Sequence, residues 1–240
     1  MAKDRLMALP ELSPTRLPVG TRAAPLVLLA AGLMIVQSGC VNFGVMMGKM
    51  LFGDPEVTSL FESKTGVALE DGEKRVAFVC TAPASTNDQF DSLQLDVQEE
   101  VVRRLRRKNV DIVRSDDVLN AMDSNGGRFD RNAIARELGD VDYILHLDIE
   151  QFSLTEPASP DLYRGRASGM IYAYEVDRSE AGDGMVVQIF FRQLDSEYPR
   201  SHPMMSDQVS TRVFQRQFVD ELADTVGRTF YSVRTSELFP

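Results

Sequence analysis

Val141-Asp-Tyr-Ile-Leu-His-Leu-Asp-Ile-Glu-Gln-Phe152 is the stretch that decides the fold. Successive strand side chains point to opposite faces, so Leu145, Leu147 and Ile149 share one face and His146, Asp148 and Glu150 the other. The pattern reads as a long strand with one apolar side. The residues ahead of it form a helix: Asp130 is placed to cap Arg131–Leu138, and Gly139 suits the stop. A helix feeding directly into a strand implies a layered α/β arrangement.

Upstream, Arg75–Cys80 is apolar on both faces, as expected of a central strand covered on each side. Thr81–Asp88 is a loop leading to Phe90–Lys108, where Leu93, Val97, Val101 and Leu105 recur every four residues and mark an amphipathic helix. Val110–Val113 is a short strand, Ser115 an N-cap for Asp116–Met122, and Asn125-Gly126-Gly127 a break. Downstream, a turn at Glu156–Pro160 separates a strand over Leu162–Val176, and a loop at Ala181–Gly184 precedes a third over Met185–Asp195. These long, closely spaced strands are expected to be antiparallel. Arg212–Val233 closes the order as a helix buried along Phe214, Phe218, Leu222, Val226 and Phe230. The expected order is β-α-β-α-β-β-β-α: one α/β domain with a single mixed sheet covered by helices, spanning residues 73–240.

Charge narrows the partners. The formal net charge is −10, and residues 1–39 carry Lys3, Arg5, Arg16 and Arg22 against Asp4 and Glu11, a balance of +2 that leaves −12 for the remainder. Such an acidic domain repels nucleic-acid phosphates and anionic head groups, and no stripe of aromatic and basic residues argues otherwise.

The first 39 residues read as an export signal. Arg16 and Arg22 precede the apolar run Ala23–Val36, which is short for a membrane span of about 20 residues. Gln37-Ser38-Gly39-Cys40 follows. Small residues directly before a cysteine resemble the lipobox of bacterial lipoprotein precursors, in which cleavage falls between the residues matching Gly39 and Cys40 and the cysteine is acylated. Gln37 departs from the aliphatic residue usual in that family, and Met7 offers an alternative start. The other reading of this segment is an uncleaved signal anchor with Cys40 incidental. Under the resemblance the acylated Cys40 binds membrane lipid, and Val41, in place of Asp, favours the outer membrane facing the periplasm. Residues 40–72 then form a tether and linker, with Val57, Leu60 and Phe61 as docking points.

The element order, with Glu137-Leu-Gly-Asp-Val-Asp-Tyr-Ile-Leu145 at its centre, resembles a periplasmic fold. That fold belongs to the amino-terminal domain of TolB, the curli-secretion lipoproteins and the lipoproteins that activate penicillin-binding proteins. Met47–Pro55 is similar to a segment of a bacterial lipoprotein family of unassigned activity. The resemblance covers roughly residues 74–235. The Cys40 signal, the single domain and the lack of a phosphate-cradling glycine loop, paired-cysteine metal motif or nucleophile elbow lead to the expectation of an accessory or binding role toward another envelope protein or polymer, without catalysis or a cofactor. The pore-forming segments of the curli-secretion family are not evident, and no functional residue carries over.

The candidate chemistry is sparse. His146, Asp148 and Glu150, about 6.6 Å apart along one strand face, form the best candidate for metal or small-ligand binding. The competing reading is a water-facing sheet surface with cross-strand ion pairs from Arg164, Arg166 and Arg192. Cys80 reads as a buried small hydrophobe. The cluster Arg103, Arg104, Arg106, Arg107 and Lys108 reads as a solvated helix C-terminus balanced by Asp96, Glu99 and Glu100. Gly165, within Tyr163-Arg-Gly-Arg166, marks a possible bulge. His202 is a loop histidine, and Ser168 and Ser201 stand in no nucleophile motif. Asp123–Gly127 lacks the spaced ligands and closing Glu of a calcium loop.

Overall fold

The computed structural model describes residues 54–90, 92–178 and 185–238. The expectations for the signal segment, Cys40, the segment 41–53 and the loop at 181–184 lie outside the described residues. In chain order the elements are β1 (Glu56–Val57), α1 (Leu60–Thr65), β2 (Arg75–Thr81), α2 (Ala84–Gln89), α3 (Leu93–Arg107), β3 (Asp111–Ile112), α4 (Ser115–Ser124) and α5 (Arg131–Leu138). Then follow β4 (Tyr143–Glu156), β5 (Ser159–Asp177), β6 (Met185–Tyr198), β7 (Met204–Met205), α6 (Thr211–Gly227), β8 (Val233–Arg234) and α7 (Thr235–Leu238). Omitting the shortest pieces, this is the order read from the sequence.

The main sheet runs β3-β2-β4-β5-β6, with β7 against β5. β2 is parallel to both β3 and β4, whereas β4, β5 and β6 are mutually antiparallel. Helices pack on both faces, fully on the first and in part on the second, and divide the core in two. On the first face Phe78, Leu145, Leu147, Ile149 and Ile171 pack with Val97, Val101 and Leu105 of α3 and Phe214, Phe218 and Leu222 of α6. On the second, Ala77, Val79, Ile144 and Tyr174 pack with Val118 and Met122 of α4 and Ile134 of α5. Asp130 accepts from the N–H groups of Asn132 and Ala133 at the start of α5, and Gly139 ends it at φ +69°.

Three local expectations shift. The compact unit begins at Pro55 and includes residues read from the sequence as linker. The reason is α1: Ser59 Oγ accepts from the Glu62 N–H at 3.1 Å, and Phe61, fully buried, meets Tyr143, Phe190 and Phe230 edge-on or tilted. Burial of such a ring contributes roughly 1.5–3 kcal/mol, enough to hold a short helix in place. Val57, by contrast, is 46% exposed. The stretch expected as a loop, Thr81–Asp88, holds most of α2, and the helix expected from Phe90 starts only at Leu93, after Ser92 takes a left-handed φ of +67°. The last helix stops at Gly227, after which Phe230 still fills the core and β8 pairs with β1.

Candidate functional site

β2 is the first strand of the main sheet in the chain but lies between β3 and β4. The chain therefore leaves β2 outward in one direction and returns on its other side. In open α/β sheets such a switch point opens a crevice at the carboxyl ends of the strands, where ligands commonly bind. Cys80 and Thr81 end β2 at this position.

Thr81 and Asp148 are register partners, as are Val79 and His146. Thr81, Asp148 and His146 consequently share one face. Thr81 Oγ1 lies 2.8 Å from Asp148 Oδ1 and 2.8 Å from His146 Nε2. A carboxylate only accepts, so the single hydroxyl proton goes to Asp148 and His146 Nε2–H donates to Thr81. This order fixes the tautomer and leaves Nδ1 unprotonated. Nδ1 is buried and has no hydrogen-bond partner. Phe129 stacks on the ring with centroids 3.7 Å apart, and Tyr172 stacks at 5.9 Å. Burial outweighs the nearby Asp148 charge and lowers the His146 pKa to about 4. At neutral pH the imidazole is uncharged, with one nitrogen engaged and the other sealed.

On the opposite side of β2, Cys80 is 2% exposed. Burial, with the Asp148 charge adding to it, pushes its thiol far above the ordinary range, so the sulfur is protonated and weakly nucleophilic. This agrees with its reading as a small hydrophobe. The Cys80 backbone N–H donates to Gln98 Oε1 at 3.3 Å, and Gln94 Nε2 donates to the Cys80 carbonyl at 3.1 Å. Gln98 Nε2 is buried with no partner. Beside these groups a cavity of about 420 Å³ opens between the start of α3 and the end of α4, lined by Cys80, Gln94, Gln98, Met122 and Asp123 among others.

The sequence-derived triad is only partly assembled. His146 and Asp148 meet through Thr81, but Glu150 stands apart. The register between β4 and β5 shifts between Ile149 and Gln151, so Glu150 falls in a bulge and is exposed. Among the described residues no group of three or more His, Cys, Asp and Glu side chains is placed to hold a metal ion. The ion pairs also differ from expectation. Arg164 and Arg166 pair with Glu156 and Glu197 rather than with Asp148 or Glu150. Arg192 points to the other face and donates to Thr229 Oγ1 at 3.1 Å. His202 and Ser201 are exposed in the loop after β6. Thr81 and Phe129, which define the His146 environment, escaped the sequence reading. A threonine ending a strand carries no local signal of its partner, and Phe129 arrives from a loop whose path only the fold reveals.

No protein-family model and no curated protein sequence matches the chain. Among solved structures it is similar to the PelC dodecamer from Paraburkholderia phytofirmans, at 12% identity and a TM-score of 0.37, over 74% of this chain and 96% of that one. The C-terminal domain of LpoB from Salmonella enterica is similar at 12% identity and a TM-score of 0.30, over 56% and 88% of the two chains. Lipoprotein GNA1162 from Neisseria meningitidis is similar at 10% identity and a TM-score of 0.34, over 59% and 90%. These are distant likenesses, and no functional residue passes from those proteins to this chain.

Proposed function

We propose that this chain is an exported lipoprotein, held at a membrane surface by acyl chains on Cys40, whose acidic domain serves cell-envelope assembly or transport by binding another component rather than by catalysis. The observation that carries this reading is the leader: a basic start, the apolar run Ala23–Val36, and Ser38-Gly39 directly before Cys40. More than one acyl chain gives stable attachment, which a fully acylated N-terminal cysteine supplies. Among the described residues no helix is long and apolar enough to cross a membrane. The chemistry at the switch point supports a binding role. Its thiol is buried and protonated, and its imidazole is neutral, engaged at Nε2 and closed at Nδ1. The outer membrane, facing the periplasm, is the location this reading favours.

The test is fractionation of cells making the natural chain or Cys40→Ser, combined with crosslinking. Natural chain in the membrane fraction and Cys40→Ser released from it supports the proposal; equal distribution contradicts it. A second reading, a small-ligand-binding module, is favoured by the cavity beside Cys80, which Gln98 lines with its Nε2 buried and without a hydrogen-bond partner. Native mass spectrometry of the purified chain against Gln98→Leu separates it from the first: a bound small molecule lost in the variant supports it, and none in either contradicts it.

A further inference from the structure

The second face of the sheet is covered only in part. Where the α4 and α5 layer ends, β4, β5 and β6 lay their side chains out in cross-strand rows. His146, Tyr172 and Phe191 form one row through the pairs His146↔Tyr172 and Tyr172↔Phe191. Asp148, Met170 and Gln193 form the next, and Gln151, Ser168 and Asp195 the one after. The aromatic row begins buried, stacked under Phe129, and emerges at Phe191, which is 62% exposed on the edge strand of the sheet. The carboxylates of Asp148, Glu150 and Asp195 lie within or beside the following rows. Asp148 accepts from Thr81 and Asp195 from Gln193, but among the described residues none of the three forms an ion pair. This contrasts with the row beyond, where Glu197 is neutralised by Arg164 and Arg166.

From this juxtaposition we propose that the open face of β4–β6 is a docking surface for an extended, arginine- or lysine-bearing segment of another protein. Charge complementarity selects the occupant. The surface combines the exposed Phe191 ring and the half-buried Tyr172 with carboxylates that, among the described residues, form no ion pair, in a domain whose remainder past residue 39 carries −12. One cationic side chain of such a segment can stack on the Phe191 ring while another, two rows along, pairs with Asp195. Spacing selects the extended form. Adjacent rows are two residues apart, about 6.6 Å, which is the repeat of same-side residues in a β-strand. Aromatic side chains with arginine partners dominate binding energy at protein interfaces. Anionic lipid and nucleic acid are repelled by the same charge. This inference rests on the binding role proposed above and gives that role a surface and a partner chemistry.

The probe is a fluorescein-labelled twelve-residue peptide alternating Arg and Thr, titrated by anisotropy against the full-length chain in detergent. A peptide alternating Glu and Thr is the charge control. The Arg peptide binds, the Glu peptide does not, and Phe191→Ala and Asp195→Asn each weaken binding about tenfold. Asp111→Asn, on the opposite edge of the sheet, removes the same charge and leaves binding unchanged. Equal loss in Asp111→Asn would reduce the interaction to diffuse attraction and overturn the proposal. So would no effect of Phe191→Ala, no binding of the Arg peptide, or displacement of that peptide by a neutral oligosaccharide. Self-association of the chain that Phe191→Ala abolishes would assign the face to a second copy and overturn it likewise. Because the peptide is read in detergent solution, its failure leaves the anchoring of Cys40 standing, and failure of anchoring leaves the peptide result standing.

Discussion

Arg104 of α3 reaches across to Asp220 of α6, with Nη2 2.6 Å from Oδ1 and 3.0 Å from the Asp220 carbonyl. Its Nη1 also pairs with Glu100 one turn back, and Asp224 lies at 4.0 Å from Nε. With 9% of its side chain exposed, this residue is no part of a solvated cluster: it ties together the two helices of the first face. The prediction is that Arg104→Ala lowers stability by about 1–3 kcal/mol, since it removes a nearly buried side chain and the charge-assisted hydrogen bonds that join α3 to α6. Arg106→Ala, on the exposed side, changes little. Urea unfolding midpoints of the two variants check this.

His146 gives the fold a signature in acid. Its folded-state pKa of about 4 lies below the ordinary 6.5, because burial favours the neutral ring. Protonation therefore favours the unfolded chain. The contribution is fully present above pH 6.5 and is lost as pH falls from 6.5 toward 4, to a limit of about 3 kcal/mol. His146→Gln lacks a titrating ring, so the difference in unfolding free energy between it and the natural chain shrinks across that window. A constant difference from pH 7 to pH 4 would contradict the assignment.

Gly165 stands where β5 carries an extra residue, between the pairs Ser153↔Arg166 and Thr155↔Tyr163. A Cβ there would lie 2.3 Å from Cγ of Phe218, a ring with no exposed surface. Gly165→Ala is expected to cost about 1–3 kcal/mol by overpacking. Gly165→Ala in a Phe218→Leu background costs less than the two single changes together, which a double-mutant cycle in urea measures.

Cys80 is sealed between β2 and α3 and held protonated. In a Cys40→Ser background, alkylation by iodoacetamide at neutral pH is slow in the folded protein and rises to the rate of a free thiol in denaturant. Prompt labelling without denaturant would place the sulfur at the surface.

The long elements were legible because each buries one face with a single period. Leu93, Val97, Val101 and Leu105, and Phe214 through Phe230, are buried as their spacing predicts. In the strand at Val141–Phe152, Leu145, Leu147 and Ile149 share one buried face as read, but Tyr143–Leu147 are buried on both faces because helices pack on each side. The candidate site was legible only in fragments. Local sequence shows that His146 and Asp148 share a face, but not that α4, α5 and Phe129 cover the first and leave the second at the border of water. Glu150 left the group because of a bulge that one strand cannot announce by itself. Arg104 looks like its neighbours Arg103 and Arg107 until a second helix packs alongside, giving α3 two buried sides rather than one. Thr81 acquired its role through a strand pairing across 65 residues.

The central claim is that this acidic α/β domain works outside the cytoplasm on a lipid anchor at Cys40. Intact-mass spectrometry of the natural protein from its own membranes tests it most directly. The account predicts a polypeptide beginning at Cys40, heavier than its residues by a diacylglyceryl group and further acylation at the new N-terminus. A chain retaining Met1, with Cys40 at the mass of an unmodified cysteine, would contradict it.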